Sequence, residues 1–289
     1  MKKYIILIPV FNDWISVFKL IDNIDLQISE QSVDIIIVND ASTENFETSR
    51  KQFSKINSVK ILNLKENGGH RKAIATGLKY CEQNLSYDFI IPMDGDGEDR
   101  PEELKNFFLA SEKQGVNVIT GIRVKRSEGL LFKSLYFIHK FITKFITGKD
   151  IRFGNFTCLS KQAVTTLLSD GSIWLSFSGA ITKHFSSHDT INSHRGTRYF
   201  GPSKMSLFKL ILHSQRISAV FKEVVFVRIV ALILILGLLA YYVSAYFLIL
   251  ALSGWVFLFF IVYLAIDNDM NKLNNSLKNI KDLTNIYSR

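Results

Sequence analysis

The chain has 289 residues, 47% hydrophobic and 21% charged, with two cysteines and a formal net charge of +9. That apolar content excludes an intrinsically disordered chain, and the length allows one large domain or two small ones. Cys81 and Cys158 lie far apart, which excludes a disulfide framework and a cysteine zinc site and predicts a cytosolic soluble part.

The opening "MKKYIILIPVF" imitates a signal peptide, but Asn12 and Asp13 interrupt it and no small-residue cleavage site follows. It reads as a first strand, "YIILIPV". Strand and helix signals then alternate through residue 121. "NDWISVFKLIDNI" is a helix with Asn12 or Asp13 as N-cap and Trp14, Val17, Phe18 and Ile21 on one face. "VDIIIVND" and "VKILNL" are strands, "HRKAIATGLKYCEQ" a helix and "YDFIIPMD" the fourth strand. "RPEELKNFFLASEKQ" is a helix with Pro101 in its first turn, and "VNVITG" is the fifth strand. Continuously apolar strands separated by helices predict an α/β fold with a mostly parallel, Rossmann-like sheet covered on both faces. Such sheets bind ligands at the carboxyl ends of their strands, where Asn12, Asp13, Asp40, Asn67, Asp94 and Arg123 fall.

Residues 127–150 read as a basic amphipathic helix. Leu130, Phe132, Leu135, Phe137, Ile138, Phe141 and Phe145 alternate with Lys133, Lys140 and Lys144. An ordinary domain helix and a helix lying in a membrane interface both fit. Residues 201–224 form a second such segment, a juxtamembrane helix. Seven basic residues between Arg195 and Arg228 face one acid, Glu223, and suit anionic headgroups. No nucleic-acid-binding motif accompanies them, so nucleic acid is not an expected partner.

From Ile229 to Ile266 no residue is charged, over 38 positions, which is long enough for two membrane spans. The run divides near Tyr241–Tyr246, and basic residues flank both outer ends. The expected organisation is an α/β domain over 1–200, the juxtamembrane helix, a two-span hairpin over 225–267 and a cytosolic tail over 268–289. The α/β domain and both termini would then be cytosolic, in a multi-pass plasma membrane protein. Leu273, Leu277, Ile280 and Thr284 have heptad-like spacing, which would let the tail pair with a neighbour in a homo-oligomer.

"MDGDGEDRPEEL", residues 93–104, holds six acids in twelve positions straight after an apolar strand. It opens like a calcium EF-hand loop, but position six is Asp99 instead of Gly and position twelve is Lys105 instead of Glu. What remains is Asp94, Asp96 and Glu98, alternating. Carboxylates this close repel unless a cation lies between them. Mg²⁺ or Mn²⁺ bound by one or two carboxylates and completed by a substrate diphosphate meets that need.

Five segments in order give a resemblance over roughly residues 1–125. "IPVFND" resembles V-P-x-Y-N-E, and "VNDASTEN" resembles V-D-D-x-S-x-D. "ENGGHRKAIATGL" resembles N-x-G-x-x-x-A-x-x-x-G. "MDGDGEDRPEEL" resembles a D-x-D segment with its following P-E, and "GIR" resembles G-x-R. Together they resemble the family 2 glycosyltransferases, whose nucleotide-diphospho-sugar transferase domain has the GT-A fold. "RGTRYFGPSKMS" followed by an amphipathic helix and two apolar spans is similar to the polyprenyl-phosphate branch, which includes dolichol-phosphate mannosyltransferases and bactoprenol glucosyltransferases. The Q-x-x-R-W motif of processive polysaccharide synthases is missing.

The resemblance implies inverting transfer from a nucleotide-diphospho-sugar. It implies Asp96 and Arg123 as catalytic residues and Asp94, Asp96 and Glu98 as ligands of Mg²⁺ or Mn²⁺. Pro9, Phe11, Asp13, Asp40, Arg71 and Asp94 would bind the donor nucleotide, with Asp40 on the base. The acceptor implied is polyprenyl phosphate at the bilayer, with Arg126, Arg195, Arg198 and Lys204 holding its phosphate. In this chain Phe11 stands for the pattern's Tyr, Asp13 for its Glu, Asn39 for an Asp, and Asn155 where an acid is common.

A charge argument points the same way. A sugar hydroxyl acceptor needs a general base, and from Ile151 to His188 the only acid is Asp170. A phosphate monoester, with a second pKa of about 6, is already an anion at pH 7. A transferase that extends a lipid-linked glycan at a sugar hydroxyl, and a non-catalytic scaffold that binds nucleotide sugar, stay open as alternatives.

Overall fold

The computed structural model describes residues 1–45, 52–123, 141–202 and 207–289. The first half alternates as the pattern predicts: β1 (Lys3–Val10), α1 (Trp14–Gln27), β2 (Ser32–Asn39), β3 (Ser58–Leu64), α2 (His70–Asn84) and β4 (Phe89–Pro92). After a 3-10 turn over Pro101–Glu103 come α3 (Leu104–Ser111) and β5 (Val118–Arg123). Helix α4 is described over 141–147. Then follow β6 (Phe153–Ser160), α5 (Lys161–Leu167), α6 (Ser172–Leu175), α7 (Phe177–His184) and β7 (Asp189–Ser193). The chain continues as α8 (Leu207–Val220), α9 (Lys222–Tyr242), α10 (Tyr246–Ala265), α11 (Met270–Asn275) and β8 (Ile280–Ser288).

The described strands form one sheet in the order β7-β5-β6-β4-β1-β2-β3-β8. β1 runs parallel to β2 and β4, β2 to β3, and β5 to β7, whereas β6 and β8 pair antiparallel. Side chains of a strand alternate between faces, so a strand buried on both sides must be apolar throughout. In β1, Ile6 and Ile8 enter the cluster with Trp14, Val17, Leu20 and Phe107, while Ile5 and Leu7 enter the opposite cluster with Leu78, Trp174 and Phe177. Chain order moves outward from β1 to β3, then returns to the other side of β1 as β4. That reversal opens a crevice at the carboxyl ends of β1 and β4, where a ligand site is expected.

Two membrane-length helices form a third cluster. α9 and α10 have 21 and 20 residues, about 31 and 30 Å at helical rise. They are long and apolar enough to cross a bilayer and longer than the uncharged run alone allows, because α9 begins at Lys222. The turn between them spans residues 243–245, inside the tyrosine cluster where the sequence divides. Gly254 admits the neighbouring helix: a Cβ there would lie 2.9 Å from Ile233. Phe226, Leu234, Leu238, Ile249, Phe259 and Tyr263 point outward, an apolar surface that water would not favour.

The C-terminal segment departs from the sequence reading. Residues 268–289 are not a separate tail with a helical seam. α11 and a 3-10 turn lead into β8, which closes the exposed edge of β3. Two heptads carry little helical force, and asparagines at 268, 271, 274, 275, 279 and 285 weaken a helix further. An open sheet edge, by contrast, offers a full ladder of hydrogen bonds. Of the amphipathic segment over 127–150, the described part exposes Phe141, Ile142 and Phe145 and packs Ile146 against the hairpin cluster.

Candidate active site

The acidic loop begins where β4 ends. Asp94 lies 25% exposed and receives His70 Nε2 at 3.1 Å and Asn155 Nδ2 at 3.3 Å on the same oxygen. Asn155 also meets His70 at 2.8 Å. Enclosure alone would lower the pKa of His70, but the charge and hydrogen bond of Asp94 outweigh it and raise the pKa. Asp96 accepts the Glu98 backbone N–H at 2.9 Å on one oxygen and Arg198 on the other. Its pKa is raised, first by burial and then by the charge of Asp94. A carboxylate whose proton affinity is raised by a neighbouring carboxylate fits a cation, and an all-oxygen donor pair suits a hard one such as Mg²⁺ or Mn²⁺.

Glu98 is bonded by Arg195, as Asp96 is by Arg198, and among the described residues no three acidic, His or Cys side chains gather as a ready metal cluster. Asp94, Asp96 and Glu98 remain the ligand set that the resemblance implies.

The arginines arrive on a strap, residues 193–200, folded across the acidic loop. Gly196 N–H donates to the Glu98 carbonyl at 2.8 Å, and Tyr199 N–H to the Asp96 carbonyl at 2.9 Å. Gly97 has φ +88° and lies flat against the Tyr199 ring, where a Cβ would come within 2.7 Å. Tyr199 is fixed from α1 by Asn23 at 2.9 Å and by Lys19 over its ring. At the strap's root, buried Glu103 accepts Ser193 Oγ and the His194 N–H, both at 2.6 Å. Arg198 also lies 3.6 Å from Asp13, and its buried Nε has no hydrogen-bond partner.

At the end of β1, Pro9 is buried, Phe11 is exposed and Asn12 has φ +50°. Two expected donor ligands are occupied elsewhere. Asp40 is 2% exposed, and its two oxygens accept the N–H groups of Gly68 and Gly69 at 2.8 Å each. Those N–H groups lead into α2, so Asp40 anchors that loop. Arg71 bonds the Trp174 carbonyl and, at 2.7 Å, Asp267 just beyond α10. It clamps the hairpin's end to the catalytic domain, because a guanidinium at the first turn of α2 finds a carboxylate within reach there. Arg123 ends β5. Arg126 and Lys204 lie outside the described residues. The expected site residues did not include His70, which meets Asp94 here, and Asn155 stood out only as a position where an acid is common.

The Glycosyl transferase family 2 model matches residues 5–165, more than half of the chain. Undecaprenyl-phosphate 4-deoxy-4-formamido-L-arabinose transferase of Yersinia enterocolitica is 28% identical over 219 residues, 73% of this chain and 64% of that protein. An uncharacterized glycosyltransferase of Bacillus subtilis is 27% identical over 134 residues, 45% of this chain and 40% of that protein. The chain thus spans less than two thirds of the length of these curated relatives. Glucosyl-3-phosphoglycerate synthase of Mycobacterium tuberculosis, solved with Mn²⁺, UDP and phosphoglyceric acid, superposes with a TM-score of 0.53 at 12% identity over 78% of each chain. That likeness is one of fold, and with the acidic loop at the β1/β4 crevice it agrees with the family match. The chain belongs to glycosyltransferase family 2 and has the GT-A fold.

Proposed function

We propose that this enzyme moves a sugar, with inversion, from a nucleotide-diphospho-sugar to a polyprenyl phosphate at the cytosolic face of a membrane. The observation that carries the reading is the pairing of Arg195 and Arg198 with the acidic loop, in a chain that runs on through α8 into two membrane-length helices. The similarity to an undecaprenyl-phosphate sugar transferase supports it.

The residues then divide the work. Asp94 and Asp96 hold Mg²⁺ or Mn²⁺, which would stabilise the charge that develops on the diphosphate leaving group. Asp13, Pro9 and Phe11 line the nucleotide side of the crevice. Arg198 exchanges Asp96 and Asp13 for the acceptor phosphate, with its unpaired Nε ready as a donor, and Arg195 supports it from Glu98. Arginine forks suit a phosphate by paired hydrogen bonds. Arg123, Arg126 and Lys204 are further cations for that phosphate. The catalytic domain occupies 1–200, the helix α8 lies at the interface, and α9 and α10 cross the bilayer with basic flanks on the cytosolic side.

For the alternative of a hydroxyl acceptor, the one acid between Ile151 and His188 is Asp170. Asp170 is engaged by the Ser172 N–H, by Lys183 and by His184, and its pKa is held near 2, so it is a poor proton acceptor at pH 7. The test is a screen of UDP- and GDP-sugars with purified full-length protein, polyprenyl phosphate and Mn²⁺. Formation of a polyprenyl-phosphate sugar is expected. A new glycosidic bond on a lipid-linked glycan, with no product on polyprenyl phosphate, would replace this reading with the alternative.

A further inference from the structure

The final strand of the chain follows the membrane-length helices, yet it is wired into the opposite side of the crevice. Asn39, Asn63 and Asp282 are cross-strand partners at one level of β2, β3 and β8. Asn39 Nδ2 donates to Asn63 Oδ1 at 2.8 Å. Asn63 Nδ2 donates to Asp282 Oδ1 at 2.5 Å and to Thr284 Oγ1 at 3.0 Å. On the crevice side, Asn39 Oδ1 accepts the Ser42 N–H at 2.9 Å. Ser42 Oγ accepts the Asn12 N–H at 3.0 Å, and Asn12 Oδ1 accepts the N–H groups of Thr43 and Glu44 at 2.9 and 3.2 Å.

The relay has a direction. An amide side chain offers a donor on one side and an acceptor on the other, whereas an ionised carboxylate only accepts. Asp282 therefore fixes which way Asn63 faces, Asn63 fixes Asn39, and Asn39 presents its oxygen to Ser42. The turn it reaches needs such support. Asn12 and Ala41 both have positive φ, at +50° and +56°, a region that residues with a Cβ seldom adopt and that an alanine enters less readily than an asparagine.

We propose that Asp282, Asn63 and Asn39 are positioning residues for the nucleotide of the donor, acting through the 40–44 turn and Asn12. This inference rests on the donor reading above. It makes the C-terminal strand part of the donor site, so that a segment beyond the membrane hairpin sets nucleotide affinity without touching the nucleotide.

Reversing the relay tests it. Asn39→Asp keeps the acceptor for Ser42 but turns an oxygen toward Asn63 Oδ1. Asp282→Asn alone leaves the direction intact, since the new amide can present its oxygen to Asn63. The double variant allows every link to run backwards: residue 282 donates to Asn63, and Asn63 donates to residue 39. The readout is Mn²⁺-dependent binding of UDP and of GDP to full-length protein in detergent, by calorimetry, with melting temperature measured alongside.

The single Asn39→Asp change is expected to weaken the tighter nucleotide by roughly fivefold, the scale of one hydrogen bond. Asp282→Asn should stay within about twofold, and the double variant should recover to within about twofold of wild type, on the same scale. A merely structural loss would lower the melting temperature without that recovery. Wild-type affinity in Asn39→Asp, or no recovery in the double variant, overturns the proposal. Should Asn39→Asp not fold, Asp282→Ala with Thr284→Ala at the exposed sheet edge frees the Asn63 amide. That pair is expected to weaken binding about threefold, and unchanged affinity overturns the proposal. If wild type binds neither nucleotide, the donor reading fails and takes this one with it.

Discussion

Two arginine–carboxylate junctions border the crevice, and they have opposite designs. On the strap, Arg195 meets Glu98 and Arg198 meets Asp96. There the backbone of residues 196 and 199 already holds the strap to the acidic loop, so the side chains are not needed to keep it in place. At the clamp, Arg71 meets Asp267 and the Trp174 carbonyl, with Lys72 and Lys272 close by. No backbone bond between the two partner segments substitutes for that pair among the bonds described. On the proposed function, the strap pair exchanges partners with a ligand and the clamp pair stays shut. Guanidinium chemistry is the same in both, and the surrounding backbone decides the role.

The largest expected effect is at the exchangeable junction. Asp96→Ala should lower transfer by on the order of 10²–10³-fold, as loss of a group that supports transition-state charge does. Its melting temperature should stay close to wild type, because the strap keeps its backbone bonds. Full activity in a steady-state assay would refute the reading of Asp96 as a metal ligand. Next comes Arg198→Ala. A charge-assisted hydrogen bond is worth about 1.5–3 kcal/mol, so turnover at low acceptor concentration should fall roughly tenfold or more. Saturating acceptor should restore most of it if Arg198 holds the acceptor phosphate. An equal loss at all acceptor concentrations would place Arg198 on the donor instead.

The shut junction should behave the other way. Asp267→Ala leaves Arg71, 15% exposed, with a charge and only a carbonyl to answer it. A fully buried pair broken in this way costs about 3–5 kcal/mol, and exposed pairs cost under about 1. For this half-buried case about 1–2 kcal/mol is expected, or roughly 2–6 °C of melting temperature. Donor affinity should be little changed. A variant with lost nucleotide binding but normal stability would return Arg71 to the donor site and erase the contrast between the two junctions.

The difference between these junctions could not be read from the chain, and the reason is physical. Strand periodicity and the D-x-D spacing are local, so β1 to β5 and the acidic loop were legible. Asp94 and Asp96 stood out as candidates because closely spaced carboxylates after an apolar strand have few other uses. Arginine carries no such local signature. Arg71 and Arg198 look alike in sequence, and their partners sit 196 and 102 residues away. Asp40 illustrates a related point: a carboxylate at a strand end suits a ligand and a following glycine loop equally well, and its bonds to the loop's two N–H groups could not be read from the chain. β8 was hidden because its partner edge exists only after β3 is in place, and its spacing mimics two heptads.

The smallest expected effect concerns a third ion pair, which decides whether Asp170 belongs to the chemistry or to the scaffold. Asp170 accepts the Ser172 N–H at 2.6 Å and meets Lys183 at 2.9 Å and His184 at 2.8 Å, joining α6 to α7. Burial would raise its pKa, but the hydrogen bonds from Ser172 and Lys183 outweigh burial and hold it at about 2. An unfolded Asp titrates near 3.9, as a rough reference. The folded value is the lower one, so the stabilisation is complete above about pH 4 and is lost as pH falls toward 2. Full linkage would give about 2.6 kcal/mol, but the side chain is 28% exposed and Lys183 39%, so screening leaves roughly 1 kcal/mol. Asp170→Asn should therefore melt a few degrees lower than wild type at pH 7, with the gap narrowing by pH 3. Transfer should persist, since a group that gives up its proton near pH 2 has little affinity for one from a hydroxyl at pH 7. A variant that keeps its stability and loses transfer would make Asp170 the missing base, and would move the acceptor from a phosphate to a sugar hydroxyl.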